Sequence, residues 1–181
     1  MGILKVARMG HPVLRSRARE LERTELMQPS VQALIDDMIE TMHEYHGVGL
    51  AAPQIHQPMR IFVAAIKPDE EEPLPPDAEP MVFVNPVITP IGSELVEDWE
   101  GCLSIPDLRG RVPRVRAIKV SGLDRSGGRI EIASHDFPAR VILHETDHLD
   151  GVLFLDRMRS FGTLSYLDEY QRYWTKGERE R

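Results

Sequence analysis

The residues able to do chemistry cluster in "VILHETDHLDG", Val141 to Gly151, where His144, Glu145 and His148 stand in HExxH order. On an α-helix, positions i and i+4 share one face, so His144 and His148 can direct imidazole nitrogens at one ion. Glu145, beside the first of them, is placed to act as general base toward a water activated there. Unligated imidazoles inside an otherwise apolar helix would need other partners, which favours metal ligation over a chance arrangement. Two protein ligands are too few for a catalytic site, so a third comes from elsewhere.

Three routes to that ligand compete. An extended HExxHxxGxxH site needs histidine where this chain has Phe154, although Gly151 is in place, and that route is closed. A downstream acid, Asp168 or Glu169, lies at the kind of sequence distance that many HExxH sites use. The third candidate is Cys102 in "WEGCLSIP". A lone cysteine is most often a small hydrophobe. Here, however, Gly101, Ser104 and Pro106 imply a tight loop that exposes backbone N–H groups, not a strand interior.

Positioning these groups requires a scaffold that the hydrophobic pattern partly reveals. From Ser30, the residues Val31, Leu34, Ile35, Met38, Ile39 and Met42 follow helical spacing, with Ser30 as cap and Gly47 as stop. "RIFVAAI", Arg60 to Ile66, reads as a buried strand. "MVFVNPVI", Met81 to Ile88, reads as another, with Pro86 marking an edge or a bulge. Between them, Lys67 to Pro80 is an acidic, proline-rich stretch that reads as a solvated loop. Val115 to Asp124 and Gly127 to Ser134 form a hairpin around "RSGG".

Asp136 can cap the HExxH helix, with Pro138 in its first turn and Gly151 after its end. Phe137, Val141, His144 and His148 fall on one face, while Ile142, Leu143 and Leu149 are apolar on others, so this helix is central and buried. A last amphipathic helix, carrying Leu164, Leu167, Tyr170 and Trp174, spans about Thr163 to Thr175. Strands precede the buried helix and do not alternate with helices. The expected class is therefore α+β, with mostly antiparallel sheets around a central HExxH helix, an N-terminal helix and a C-terminal helix, in one domain over residues 1–181.

Composition narrows the function classes. The chain has 181 residues, 41% hydrophobic and 28% charged, with a net charge of -7, which argues against DNA binding through phosphate neutralisation. No apolar run approaches the ~20 residues of a spanning helix, so no membrane role is expected. "MGILKVARMGHPVLR" lacks the apolar core of a secretory signal, and "MGILKV" lacks the serine or threonine of a myristoylation signal. A single cysteine forbids an internal disulfide and makes a reducing cytosol the default compartment.

Three blocks together, "GVGLAAPQ" (Gly47–Gln54), "EGCLS" (Glu100–Ser104) and "HETDH" (His144–His148), resemble in order and spacing the signature motifs of the peptide deformylase family. Flanking "HPVLR", "NP" and "VPR" also fit, so the resemblance extends from Val6 to Met158. It implies that Cys102, His144 and His148 hold a divalent metal, with water in the fourth position. It implies Fe²⁺ as the native ion, replaceable by Zn²⁺, Ni²⁺ or Co²⁺, whereas ligand chemistry alone would suggest Zn²⁺. The implied reaction is hydrolysis of the N-formyl group from the initiator methionine of nascent polypeptides, releasing formate. The activated water attacks the formyl carbon, and Glu145 takes its proton and returns it to the amine. The metal, the Gln54 side-chain amide and the Leu103 N–H would stabilise the oxyanion.

The same resemblance implies the substrate contacts. Gly47 and Gly49 flank Val48 where a positive φ or a close backbone approach is expected, on an edge strand beside the peptide. Val48, Gly49, Leu103, Phe137, Val141 and the His144 ring match the methionine slot. Arg109 matches a contact to the substrate backbone, and Glu100 joins the substrate-binding set while pairing with Arg114. The implied partners are N-formylmethionyl nascent peptides and, transiently, the ribosome, for a bacterial cytoplasmic monomer or weak dimer. Two departures stand out. Leu143 occupies the position before the first histidine where the family usually has glutamine, and the acidic loop is long enough to border the active-site mouth.

Overall fold

Pro29 sets the start of the first long helix in the computed structural model, which describes residues 2–67 and 79–175. After the single turn α1 (Arg23–Leu26), α2 runs Pro29–Glu44, one residue ahead of the expected Ser30 cap. Proline takes the first helical position because its φ is already helical and it has no N–H to leave unpaired. At the other end the left-handed residue is His46 (φ 54°) and not Gly47. The Gly47 N–H then closes onto the Met42 carbonyl at 2.8 Å. The expected periodicity holds: Val31, Ile35, Met38 and Met42 are buried.

Five strands make one antiparallel sheet, in the order β1 (Gly49–Ala51), β2 (Ile61–Ala64), β3 (Met81–Pro90), then β6 (Ala117–Leu123) and β7 (Arg129–His135). A second sheet holds β4 (Leu95–Cys102), β5 (Ile105–Val115) and β8 (Ser165–Tyr166). Every pairing between these strands is antiparallel. β2 is buried along its whole length, as its uninterrupted apolar run predicts. The bulge foreseen at Pro86 appears as a register shift between Val84 and Val87, because proline offers no N–H to the ladder. Asn85, at φ 50°, uses that bulge to bond the Leu21 N–H and carbonyl at 3.0 and 2.8 Å.

α2 packs on one face of the first sheet, over Ile61, Val63, Val82 and Val84. The HExxH helix, α3 (Asp136–Leu149), packs on a second core with Phe62, Phe83, Ile118 and Val120. Phe62 and Phe83 stack there at 4.6 Å between centroids. A third, smaller core joins Leu14, Cys102, Ile105 and Val112 to Leu153 and Phe154, the latter heading the short α4 (Phe154–Arg157). β4 and β5 meet α4 at that third core and are tied to α3 through Arg114–Asp147 and Arg140–Glu100, so the second sheet is what brings Cys102 toward the histidines.

Two expected elements are corrected. Asp136 does not cap α3 with its side chain. Its carboxylate is instead taken by Arg116 at 3.0 Å and His135 at 2.9 Å. The continuous last helix is broken into a turn at Phe161–Thr163, the strand β8, and a shorter α5 (Leu167–Tyr173). Ser165 and Tyr166 leave the helical path because β5 offers them backbone partners at Arg109 and Leu108. Residues 68–78 of the acidic loop lie outside the described residues. No helix among the described residues is long and apolar enough to cross a membrane.

Candidate metal centre

Cys102 closes β4 at a two-residue turn, with Leu103 and Ser104 leading straight back into β5. That turn places its Sγ 3.2 Å from His148 Nε2. Ligand atoms of Cys102, His144 and His148 all lie within 4.8 Å of one another, and all three residues are buried. An ion with bonds of about 2.0–2.3 Å to sulfur and nitrogen spaces its ligand atoms by about 3–4 Å, so the group fits one divalent ion. Asp168 and Glu169 do not compete. They sit on α5, where Asp168 bonds the Glu169 N–H at 2.9 Å and Glu169 bonds Arg172 at 3.3 Å.

Electrostatics favour the ligating form of the thiol. Burial alone would push the Cys102 thiol up, but His148 and His144 outweigh it and hold it well below its ordinary value. Burial likewise opposes a charged His144, and Cys102 and Glu100 outweigh it in the other direction. His144 Nδ1 meets Glu100 Oε2 at 2.9 Å, which leaves Nε2 for an ion.

Behind the ligands lies a buried charge network. Arg114 forks onto Glu100 at 2.8 and 3.0 Å, as the "VPR" pairing predicts, and reaches Asp147 at 2.5 Å. Arg157 holds the other side of Asp147 at 2.7 Å. Arg140 adds a bond to Glu100 at 2.9 Å and two to the Val112 and Val96 carbonyls at 2.8 and 2.7 Å. Burial disfavours the Glu100 carboxylate, but His144 and Arg114 more than offset it and hold it well below the usual range. Asp147, Arg140 and Arg157 escaped the sequence reading. The available signal was charge on a helix whose other faces are apolar, since a buried charge needs a partner.

Glu145 stands apart from that network. Its Oε2 is buried with no hydrogen-bond partner among the described residues, and burial raises its carboxyl to about 7. The wall facing it is Gly49, where an added Cβ would meet the carboxylate carbon at 2.7 Å. At Gly47 an added Cβ would stand 2.9 Å from Leu103 Cδ1. Close approach, and not a positive φ, is therefore what both glycines supply.

A cavity of about 940 Å³ opens onto these groups. Cys102, His144, Glu145 and Gln54 line it, while His148 lies behind at 1% exposure. Both atoms of the Gln54 side-chain amide are held by hydrogen bonds. The residue is buried, accepts from the Ala51 N–H at 2.8 Å and donates to Ser104 Oγ at 3.2 Å and Cys102 Sγ at 3.6 Å. Val48, Leu103, Phe137 and Val141 give the cavity an apolar side, and Phe137 and Val141 also pack on the second core. Arg109 and Glu100 complete the expected set at the lining. β1, carrying Gly49, is an edge strand of its sheet. Leu143 is half-buried against the second core and takes no part in the cavity.

The family model for polypeptide deformylase matches residues 3–163. A peptide deformylase from Nostoc sp. is 43% identical over 174 residues, covering 96% of each chain. Another, from Bordetella pertussis, is 43% identical over 163 residues, covering 90% of this chain and 92% of its own. Among solved structures, a class I type b peptide deformylase from Acinetobacter baumannii bound to Met-Ala-Ser superposes with a TM-score of 0.79 at 39% identity, covering 87% of this chain and 99% of that one. The Thermotoga maritima enzyme gives 0.78 at 35% identity, covering 88% and 100%.

Proposed function

This chain belongs to the polypeptide deformylase family, metal-dependent hydrolases that remove the N-formyl group of nascent peptides, and from that premise we propose how its own residues divide the work. One observation carries the assignment: a buried Cys/His/His group beside a glutamate with a buried oxygen that has no partner among the described residues, next to a cavity with an apolar side. Cys102, His144 and His148 are the metal ligands. When bound, a divalent ion supplies Lewis acidity, which lowers the pKa of a water and polarises a carbonyl.

Glu145 acts as the proton carrier, taking a proton from water and delivering it to the amine that leaves as formate departs. Its lone oxygen and the glycine wall opposite are the features that support this role. Gln54 and the Leu103 N–H are donors for the oxyanion. The Gln54 amide supports that reading because its oxygen is tied to the Ala51 N–H, which turns its nitrogen toward Cys102 and Ser104. Glu100 orients His144, and Arg114 and Arg140 hold Glu100.

The peptide binds as an added strand along β1, with Val48 and Gly49 at the contact and Arg109 on its backbone. The methionine side chain fills the slot of Leu103, Phe137 and Val141. The related Acinetobacter enzyme holds Met-Ala-Ser, the deformylated form of such a substrate. Fe²⁺ is the native ion in this reading, with Zn²⁺, Ni²⁺ and Co²⁺ as substitutes, since a thiolate with two imidazoles accepts all four. The enzyme works in the bacterial cytoplasm as a monomer or weak dimer, in transient contact with the ribosome.

The direct test is formate release from formyl-Met-Ala-Ser by anaerobically purified protein, with metal analysis of the same sample. Hydrolysis with a one-to-one ion supports the reading. No formate with Fe²⁺, Ni²⁺ or Co²⁺ would refute it.

A further inference from the structure

Residues 165–174 lie beyond the stretch that the family model matches, yet they help to build the cavity. β8 pairs with β5 at Leu108 and Arg109, and the next residue, Leu167, lines the cavity that Trp99 also lines. Trp99 comes from β4 and is gripped by α5. Its ring lies 4.7 Å from Tyr170 and 5.3 Å from Trp174, both tilted against it. Aromatic contacts of this kind fix a large apolar face at little further entropic cost on binding. Arg109 is held by the same sheet, its guanidinium folded over Gly101, where any side chain would collide with it.

We propose that Trp99 and Leu167 form a specificity wall for the side chains that follow methionine, favouring apolar and aromatic residues there. This rests on the deformylase reading above. With methionine held beside Phe137 and Val141, the remaining chain must leave through the same cavity, which Trp99 and, from the C-terminal segment, Leu167 line. Lys5 and Arg8 also line the cavity and offer the opposite selectivity, for acidic residues.

The test compares kcat/KM for formyl-Met-Gly-Gly, formyl-Met-Leu-Phe and formyl-Met-Asp-Asp on the iron-loaded enzyme. The Leu-Phe substrate should exceed Gly-Gly by about tenfold or more, the scale of discrimination that apolar pockets achieve. Trp99→Ala and Leu167→Ala should each bring that ratio close to unity, mainly through KM, while Trp99→Phe should keep most of it. Should Trp99→Ala not fold, the half-buried Leu167 carries the comparison alone. Equal kcat/KM for all three substrates, or a ratio that survives both alanine variants, would overturn the wall while leaving deformylation intact. A preference for Asp-Asp would also overturn it and assign the mouth to Lys5 and Arg8. Absence of hydrolysis with any of the three would overturn the deformylase reading along with it.

Discussion

The α-carbon of Gly49 faces the carboxylate of Glu145 so closely that a methyl group added there would stand 2.7 Å from the carboxylate carbon. Gly49→Ala should therefore displace Glu145 while leaving the three metal ligands in place. A shift of about 1 Å in a reacting group can cost about 10²-fold, so kcat/KM for a formyl-Met peptide should fall on that scale. Metal content should be unchanged. An alanine variant with wild-type kinetics would mean that Glu145 has room to spare and that the glycine is not needed for its placement.

Glu145→Gln keeps the shape and removes the proton carrier. Loss of a general acid–base group costs about 10²–10⁴-fold, which should appear in kcat. Metal analysis of the same protein should give the wild-type ratio. A fully active variant with normal metal would take the proton role away from Glu145.

Cys102→Ser replaces a soft ligand with a hard one and should lower both metal content and activity. Chelation of the wild type should abolish formate release, and added Fe²⁺, Ni²⁺ or Co²⁺ should restore it. Retention of both metal and activity in the serine variant would point back to another third ligand.

Arg114→Met should weaken the fold more than it weakens any contact with substrate. It leaves two buried carboxylates, Glu100 and Asp147, without a shared cation, and breaking such a pair costs about 3–5 kcal/mol. Equilibrium urea unfolding reads this directly. A change below 1 kcal/mol, on the order of an exposed ion pair, would show that Arg140 and Arg157 suffice to hold the network.

Much of the site was legible because its chemistry is written in short blocks. HExxH needs only helical spacing, and the buried face of α2 and the apolar run of β2 follow from periodicity alone. The cavity side of Gln54 was invisible from its neighbours, since a glutamine after Ala-Ala-Pro has no periodic signature. Local chemistry misled at Ser30 and Asp136, where a good capping side chain lost to Pro29 and to Arg116. The C-terminal pattern misled for a different reason. Leu164, Leu167, Tyr170 and Trp174 do have helical spacing, but a two-residue strand pairing with a distant segment leaves no periodic trace. Asp147 and Arg140 show the same limit, because their partners lie on β4 and β5 or beyond.

The ligands come from separate parts of the fold, with Cys102 at the end of a hairpin and His148 near the end of a helix 46 residues later. An ion joining them ties off a long chain segment, as a disulfide would, and so restricts the unfolded ensemble as well as the active site. In a chain with one cysteine, no covalent bridge of that kind can form internally. The catalytic ion would then also act as a removable cross-link, added to the ion pairs of Arg114 and Arg140 that already join the second sheet to the HExxH helix.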